Sequence, residues 1–162
     1  PDEISVDTIH QVIKWLRRTK GWSPDVVIVD YLELMVSRKA AYNKEDYVRQ
    51  KKVSTELRGL AQKEDVLLFT ATQTNRAQTQ KKDKVSDGGG LLDVNRVAES
   101  YGKMMPSDYV VSLNQTPDEY KQNRIRLYIA KNRNGPRFKT LSAKVNYETM
   151  VVSVDSFNAI GG

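Results

Sequence analysis

The chain has 162 residues, a formal net charge of +6, 39% hydrophobic and 28% charged residues, no cysteine and a single histidine, His10. That length suits one domain with a real core. The missing thiols exclude disulfides and thiolate metal sites, and one histidine leaves little for zinc. No apolar run reaches the roughly 18 to 20 residues a membrane span needs, so no membrane partner is expected and a reducing cytoplasm is the simplest home. The positive excess leans toward polyanions, and its position along the chain matters more than its total.

Val6, Ile9, Ile13 and Leu16 recur at spacings of three and four, with Ser5 or Asp7 able to cap, which predicts an amphipathic helix over about 5 to 20. Gly21 and Pro24 stop it. The run "VVIVD" at 26 to 30 is continuously apolar and β-branched, as in a strand buried on both faces and central in a parallel sheet. Val53, Leu57, Leu60 and Ala61 mark a second helix within about 45 to 64, and "VLLFTAT" at 66 to 72 reads as another buried strand. Val94, Val97, Ala98 and Tyr101 suggest a third helix, followed by "DYVVSLN" at 108 to 114 as a third strand. Alternating helices and strands imply an α/β layered sheet with mainly parallel core strands.

After the polar turn "NQTPDEYKQN" the pattern changes. "RIRLYIAK", "RFKTLSAKV" and "TMVVSVD" are three strands with short connections, read as antiparallel additions at the C-terminal edge of the sheet. No internal repeat and no second domain is visible, so residues 1–162 read as one domain.

The segment 74 to 93, "TNRAQTQKKDKVSDGGGLLD", is polar and carries Gly88, Gly89 and Gly90 in succession. A loop this long inside a domain is usually functional or disordered. It begins at the carboxyl end of a strand, where open α/β sheets bind ligands. Its cations Arg76, Lys81, Lys82 and Lys84 suit phosphate neutralisation without base reading; a solvated charge run balanced by Asp83 and Asp87 would look the same.

Asp30 closes its strand, so its carboxylate should emerge at the carboxyl edge, able to hold Mg²⁺ through water as an acidic residue of nucleotide hydrolases does. An aspartate that only ends a strand fits the same pattern. Gln73 follows "LLFTAT" directly and should reach that edge too, where an amide can sense a γ-phosphate or orient a water; a surface glutamine at a loop mouth is the plainer alternative. In "IAKNRNGP", Lys131 and Arg133 stand two apart at a strand end, either as cations aimed at an anion or as braces of the Asn134-Gly135 turn.

"DVVIVDYLELM", "TATQTNR", the Gly-rich loop, "AESYGKMMPSDYVVSLNQ" and "IAKNRNGP", in this order and approximate spacing, resemble the later motifs of the RecA-like motor domain of DnaB-type replicative helicases, the phage versions especially. The likeness spans roughly residues 25 to 140. It implies a partial RecA-like (P-loop NTPase) fold, ATP and Mg²⁺ as cofactors, single-stranded DNA as a partner, neighbouring copies in a homo-oligomeric ring, and a primase or a helicase loader as a further partner. By that resemblance Asp30 is the Walker B aspartate and Gln73 couples the γ-phosphate to the DNA-binding loops. Residues 76 to 93 would grip single-stranded DNA in the central channel, and Lys131 and Arg133 would serve the neighbouring subunit's nucleotide.

One departure is large: no G-x-x-x-x-G-K-[ST] occurs, and "GGGLLD" lacks the lysine, the hydroxyl residue and the preceding strand of a phosphate loop. Together with a start at "PDEIS", this gives the expectation of the carboxy-terminal part of a helicase motor, inactive as an ATPase alone. Two alternatives stay open: another RecA-fold ATPase, such as a recombinase or clock-type enzyme, and a non-catalytic DNA-binding or assembly module that lost the phosphate loop.

Overall fold

Helix α1, Val6–Lys20, starts where Ser5 turns its hydroxyl back to accept from the Thr8 N–H at 3.3 Å, and ends at Gly21, whose φ of 60° is the left-handed conformation glycine adopts without steric cost. Of the two candidate caps, Ser5 takes the role and Asp7 sits in the first turn. The computed structural model describes residues 4–37, 46–73 and 102–154. The chain divides into two compact units, Pro1–Gln78 with Glu99–Ser107, and Thr79–Ala98 with Asp108–Gly162.

In the first unit, β1 (Ile4–Ser5) precedes α1; β2 (Val26–Val29), a 3₁₀ turn (Leu32–Leu34), β3 (Met35–Val36), α2 (Asp46–Glu64) and β4 (Leu67–Thr70) follow, with a helical turn at 102–104. β2 and β4 pair in parallel from Val26↔Leu67 to Val29↔Thr70, and β1 pairs in parallel with β3. Because a parallel pair cannot be closed by a tight turn, α2 makes the crossover. Its residues Val53, Leu57 and Leu60 join Val6, Ile13, Leu32 and Met35 in one buried cluster, against which Val27, Val29 and Leu68 pack. Each large aliphatic side chain so buried contributes about 1.5 to 3 kcal/mol.

The expectation that "VVIVD" and "VLLFTAT" are buried on both faces is overturned. Alternation along each strand sends Val27, Val29 and Leu68 into the cluster and the intervening residues to the opposite face, where Ile28 is 74% and Phe69 53% exposed. Among the described residues β2 pairs only with β4 and α2 covers one face. The apolar run records what the strand can bury, and half of that surface is uncovered here.

Among the described residues the second unit is a four-stranded antiparallel sheet in the order β5 (Tyr109–Asn114), β6 (Arg124–Asn132), β7 (Thr140–Asn146) and β8 (Val151–Val154). β5 runs antiparallel to β6, and β6, β7 and β8 follow as the antiparallel strands that their short connections predict. The segment joining β5 and β6 is not merely a polar turn. Pro117–Lys121 is a short helix, α3, with Thr116 and Glu119 exchanging side-chain to backbone bonds in a capping box and Pro117 at the first helical position. The helix expected around 94 to 101 and the loop at 74 to 93 lie outside the described residues.

Candidate functional site

The candidate site of the first unit is built at the carboxyl end of the parallel pair. β2 stops at Val29, and Asp30 follows it, exposed, with a cis peptide to Tyr31. The Thr70 hydroxyl donates to the Val29 carbonyl at 2.9 Å, and the Leu32 N–H donates to the Ala71 carbonyl at 3.0 Å. These cross-links keep the two strands' continuations side by side, so Asp30 and Gln73, also exposed, leave the sheet at one edge, as the sequence predicts. An exposed carboxylate there is suited to accept hydrogen bonds from the water shell of Mg²⁺. No group of three or more His, Cys, Asp or Glu that could hold a metal occurs among the described residues. The exposed Asp30 at the end of β2 is a carboxylate that would fit Mg²⁺ shared with a nucleotide's phosphates, the usual arrangement for that ion.

Beside this edge lies a network the motifs did not reveal. Glu33 Oε1 accepts from the Thr72 hydroxyl, from the Gln73 N–H at 3.2 Å and from Lys103 Nζ at 2.9 Å. Lys103, only 8% exposed, also donates to the Gln73 carbonyl at 3.2 Å. Burial pushes the Glu33 carboxyl up, but the bonds from Thr72 and Lys103 and the lysine's charge outweigh it and hold the group below the ordinary glutamate range. Glu33 had one available signal, its place three residues after Asp30; Lys103 had none, because a lone lysine in "SYGKMM" gives no hint of burial.

In the second unit, Lys131 lies near the end of β6 and Arg133 just past it. The register passes from Val110↔Lys131 to Val111↔Ile129, which makes Ala130 the extra residue of a β-bulge. Such bulges re-aim the side chains that follow. Arg133 donates its N–H to the Asp108 carbonyl at 2.9 Å and pairs through Nε with Asp108 Oδ1 at 3.0 Å, its side chain still 44% exposed. The turn is braced by another residue: Asn132 accepts from the Asn134 N–H and donates to the Pro136 carbonyl, each at 3.2 Å. A Cβ on Gly135 would come within 2.8 Å of the Asn132 amide nitrogen, so glycine fits there. Arg76, Lys81, Lys82, Lys84, Gly88, Gly89 and Gly90 lie outside the described residues.

Parallel strands joined by a helix, with polar residues gathered at their carboxyl edge, define an α/β fold, and the solved structures that superpose on it are of the RecA-like class. A solved ATPase domain superposes with a TM-score of 0.72 at 24% identity, covering 92% of this chain and 51% of its own. A DnaB-like replicative helicase, solved in a study of its interactions with primase, gives 0.68 at 24% identity, covering 88% and 34%. The family model of the DnaB-like helicase C-terminal domain matches residues 2–153, and the chain belongs to that family. It is 32% identical over 129 residues to a replicative DNA helicase DnaB of Leifsonia xyli subsp. xyli, covering 77% of this chain and 26% of the relative. It is 26% identical over 113 residues to a DnaB-like replicative helicase of Enterobacteria phage T4, covering 69% and 22%. The chain therefore spans about a quarter of the length of these relatives.

Proposed function

We propose that the chain is part of the motor of an ATP-dependent replicative DNA helicase that moves on single-stranded DNA and unwinds duplex. The observation that carries this reading is the convergence of Asp30 and Gln73 on one carboxyl edge within a chain of the DnaB-like family. Asp30 helps hold Mg²⁺, which supplies charge neutralisation at the phosphates when bound. Gln73 senses the γ-phosphate end, and Arg76, Lys81, Lys82 and Lys84, with Gly88, Gly89 and Gly90, bind the DNA backbone. Lys131 and Arg133 serve the nucleotide of a neighbouring copy in a homo-oligomeric ring. Arg133 suits that task because its pair with Asp108 is exposed and so contributes at most about 1 kcal/mol, little to give up for a phosphate. The complete ring would engage a primase or a loader as its relatives' class implies.

The sequence holds no phosphate-loop motif, and among the described residues Asp30 is the carboxylate placed to hold the metal, so this segment alone neither turns over ATP nor binds it tightly. Calorimetry with Mg-ATP on the segment, beside turnover and unwinding by the complete polypeptide, tests the reading. No heat from the segment and DNA-stimulated turnover by the whole, abolished by Asp30→Asn, are expected. Tight stoichiometric binding to the segment, or a complete polypeptide that binds DNA without hydrolysis, contradicts it, the latter in favour of a non-catalytic module.

A further inference from the structure

We propose that Glu33 and Lys103 are positioning residues that clasp Gln73 from both sides and thereby couple the nucleotide edge to the DNA-binding segment; this rests on the function proposed above. The clasp holds both polar groups of one residue's backbone. The Gln73 N–H is bound to Glu33, and the Gln73 carbonyl is bound to Lys103, whose ammonium is itself paired with Glu33. With donor and acceptor both captured, the direction in which Gln73 projects its side chain follows the ion pair and not solvent. The three partners come from three stretches of chain: Glu33 lies three residues beyond Asp30, Thr72 and Gln73 follow β4, and Lys103 belongs to the turn at 102–104.

A covering role alone would be served by apolar side chains of similar volume, because a buried ion pair seldom stabilises more than a well-packed hydrophobic replacement. The charge distribution also departs from a closed structural network. Three donors converge on Glu33 Oε1, while Oε2 is buried without a hydrogen-bond partner among the described residues. A half-satisfied carboxylate of this kind costs free energy as it stands and gains from exchanging partners, which is the property a two-position coupling element needs. A displacement of the residue on either side, whether at Gln73 or at Lys103, acts on the same oxygen.

The experiment is ATP turnover by the complete helicase with and without single-stranded DNA, read as the ratio of the two rates. Loss of the lysine in Lys103→Met lowers that ratio by about tenfold, the size of effect seen when a coupling element is removed, with single-stranded DNA affinity kept within about twofold. Lys103→Arg keeps most of the ratio, because a cation still reaches Glu33. A purely structural role would lower the melting temperature and the folded fraction and leave the ratio per folded molecule untouched, so a wild-type ratio in Lys103→Met overturns the inference. Should that variant fail to assemble, Thr72→Val removes one donor without stranding a charge: a lowered ratio supports the clasp and an unchanged one overturns it. Absence of DNA stimulation in the wild-type helicase overturns the function reading and the clasp together, whereas stimulated wild type with unaffected variants overturns the clasp alone.

Discussion

The hydrogen bonds and ion pairs that build the candidate site of the first unit join residues far apart in sequence: Thr70 to Val29, Thr72 to Glu33, and Lys103 to both Glu33 and Gln73. In the second unit the sheet is an antiparallel succession of neighbours, and Arg133 meets Asp108 across the adjoining pair β5 and β6. The difference follows from strand direction. A parallel pair needs a helical crossover and a helix on its face, so its edge is assembled by elements that arrive at different points of the chain. An antiparallel sheet is set by its turns, such as the capping box of α3 and the Asn132 bonds of the β6–β7 turn. One unit therefore places its functional groups by tertiary packing, the other by local geometry.

The largest effect that would sharpen this contrast belongs to the second unit. Arg133→Ala in the complete protein should lower turnover by about 10³-fold or more, the range of an arginine finger, while nucleotide binding and melting temperature persist. A lowered melting temperature with normal turnover per folded ring would assign the residue to a structural role. Next comes the packing on which the first unit depends. Leu57 is 2% exposed at the centre of the cluster, and Leu57→Ala should cost about 2 to 5 kcal/mol, seen as early loss of amide protection in β2 and β4. Wild-type protection in those strands would show that α2 does not support the parallel pair.

Replacing Lys81, Lys82 and Lys84 with alanine should weaken single-stranded DNA binding for every sequence and reduce the salt slope by about 0.7 for each phosphate no longer neutralised. An unchanged slope would return these lysines to the solvated surface. The smallest effect is on pH dependence. Burial raises the Glu64 carboxyl, but the bonds and charges of Arg17 and His10 outweigh it, and the group is held below the ordinary glutamate range. A depressed folded value means that its contribution is complete above the unfolded glutamate value of about 4.3 and is lost as pH falls through the lower folded one. Glu119 has the same sign: burial is opposed by the Thr116 backbone bond and by Arg126. Acid titration of stability should therefore flatten in Glu64→Gln in the first unit and in Glu119→Gln in the second, and an unaltered acid limb in either would show that its carboxylate does not govern acid stability.

Much of this was legible from local pattern. The stripe of α1, a cap at Ser5 or Asp7, the Gly21 stop, the Val53, Leu57, Leu60 face of α2 and the strand that stops just before Asp30 follow from spacing and turn chemistry, while β4 ends at Thr70, two residues short of the end expected at 72. Burial was less legible, because "VVIVD" reports the capacity of β2 for two covered faces and Val26 and Ile28 are exposed. Glu33 and Lys103 were missed because a clasp formed across 70 positions leaves no spacing to read. Thr116 and Glu119 carried a capping-box signature in plain view, yet the segment was read as a polar turn.

The central claim is that Asp30 and Gln73 act on a subunit's own nucleotide while Arg133 acts on its neighbour's, and mixing two inactive helicases tests it most directly. One subunit would lack the phosphate loop's lysine and the other would carry Arg133→Ala. A mixed ring contains interfaces at which the Arg133→Ala subunit's intact nucleotide site faces the other subunit's intact arginine. The account predicts that hydrolysis absent from either ring alone returns on mixing, in proportion to such interfaces. Mixed rings confirmed by mass spectrometry that remain as inactive as their parents would contradict it.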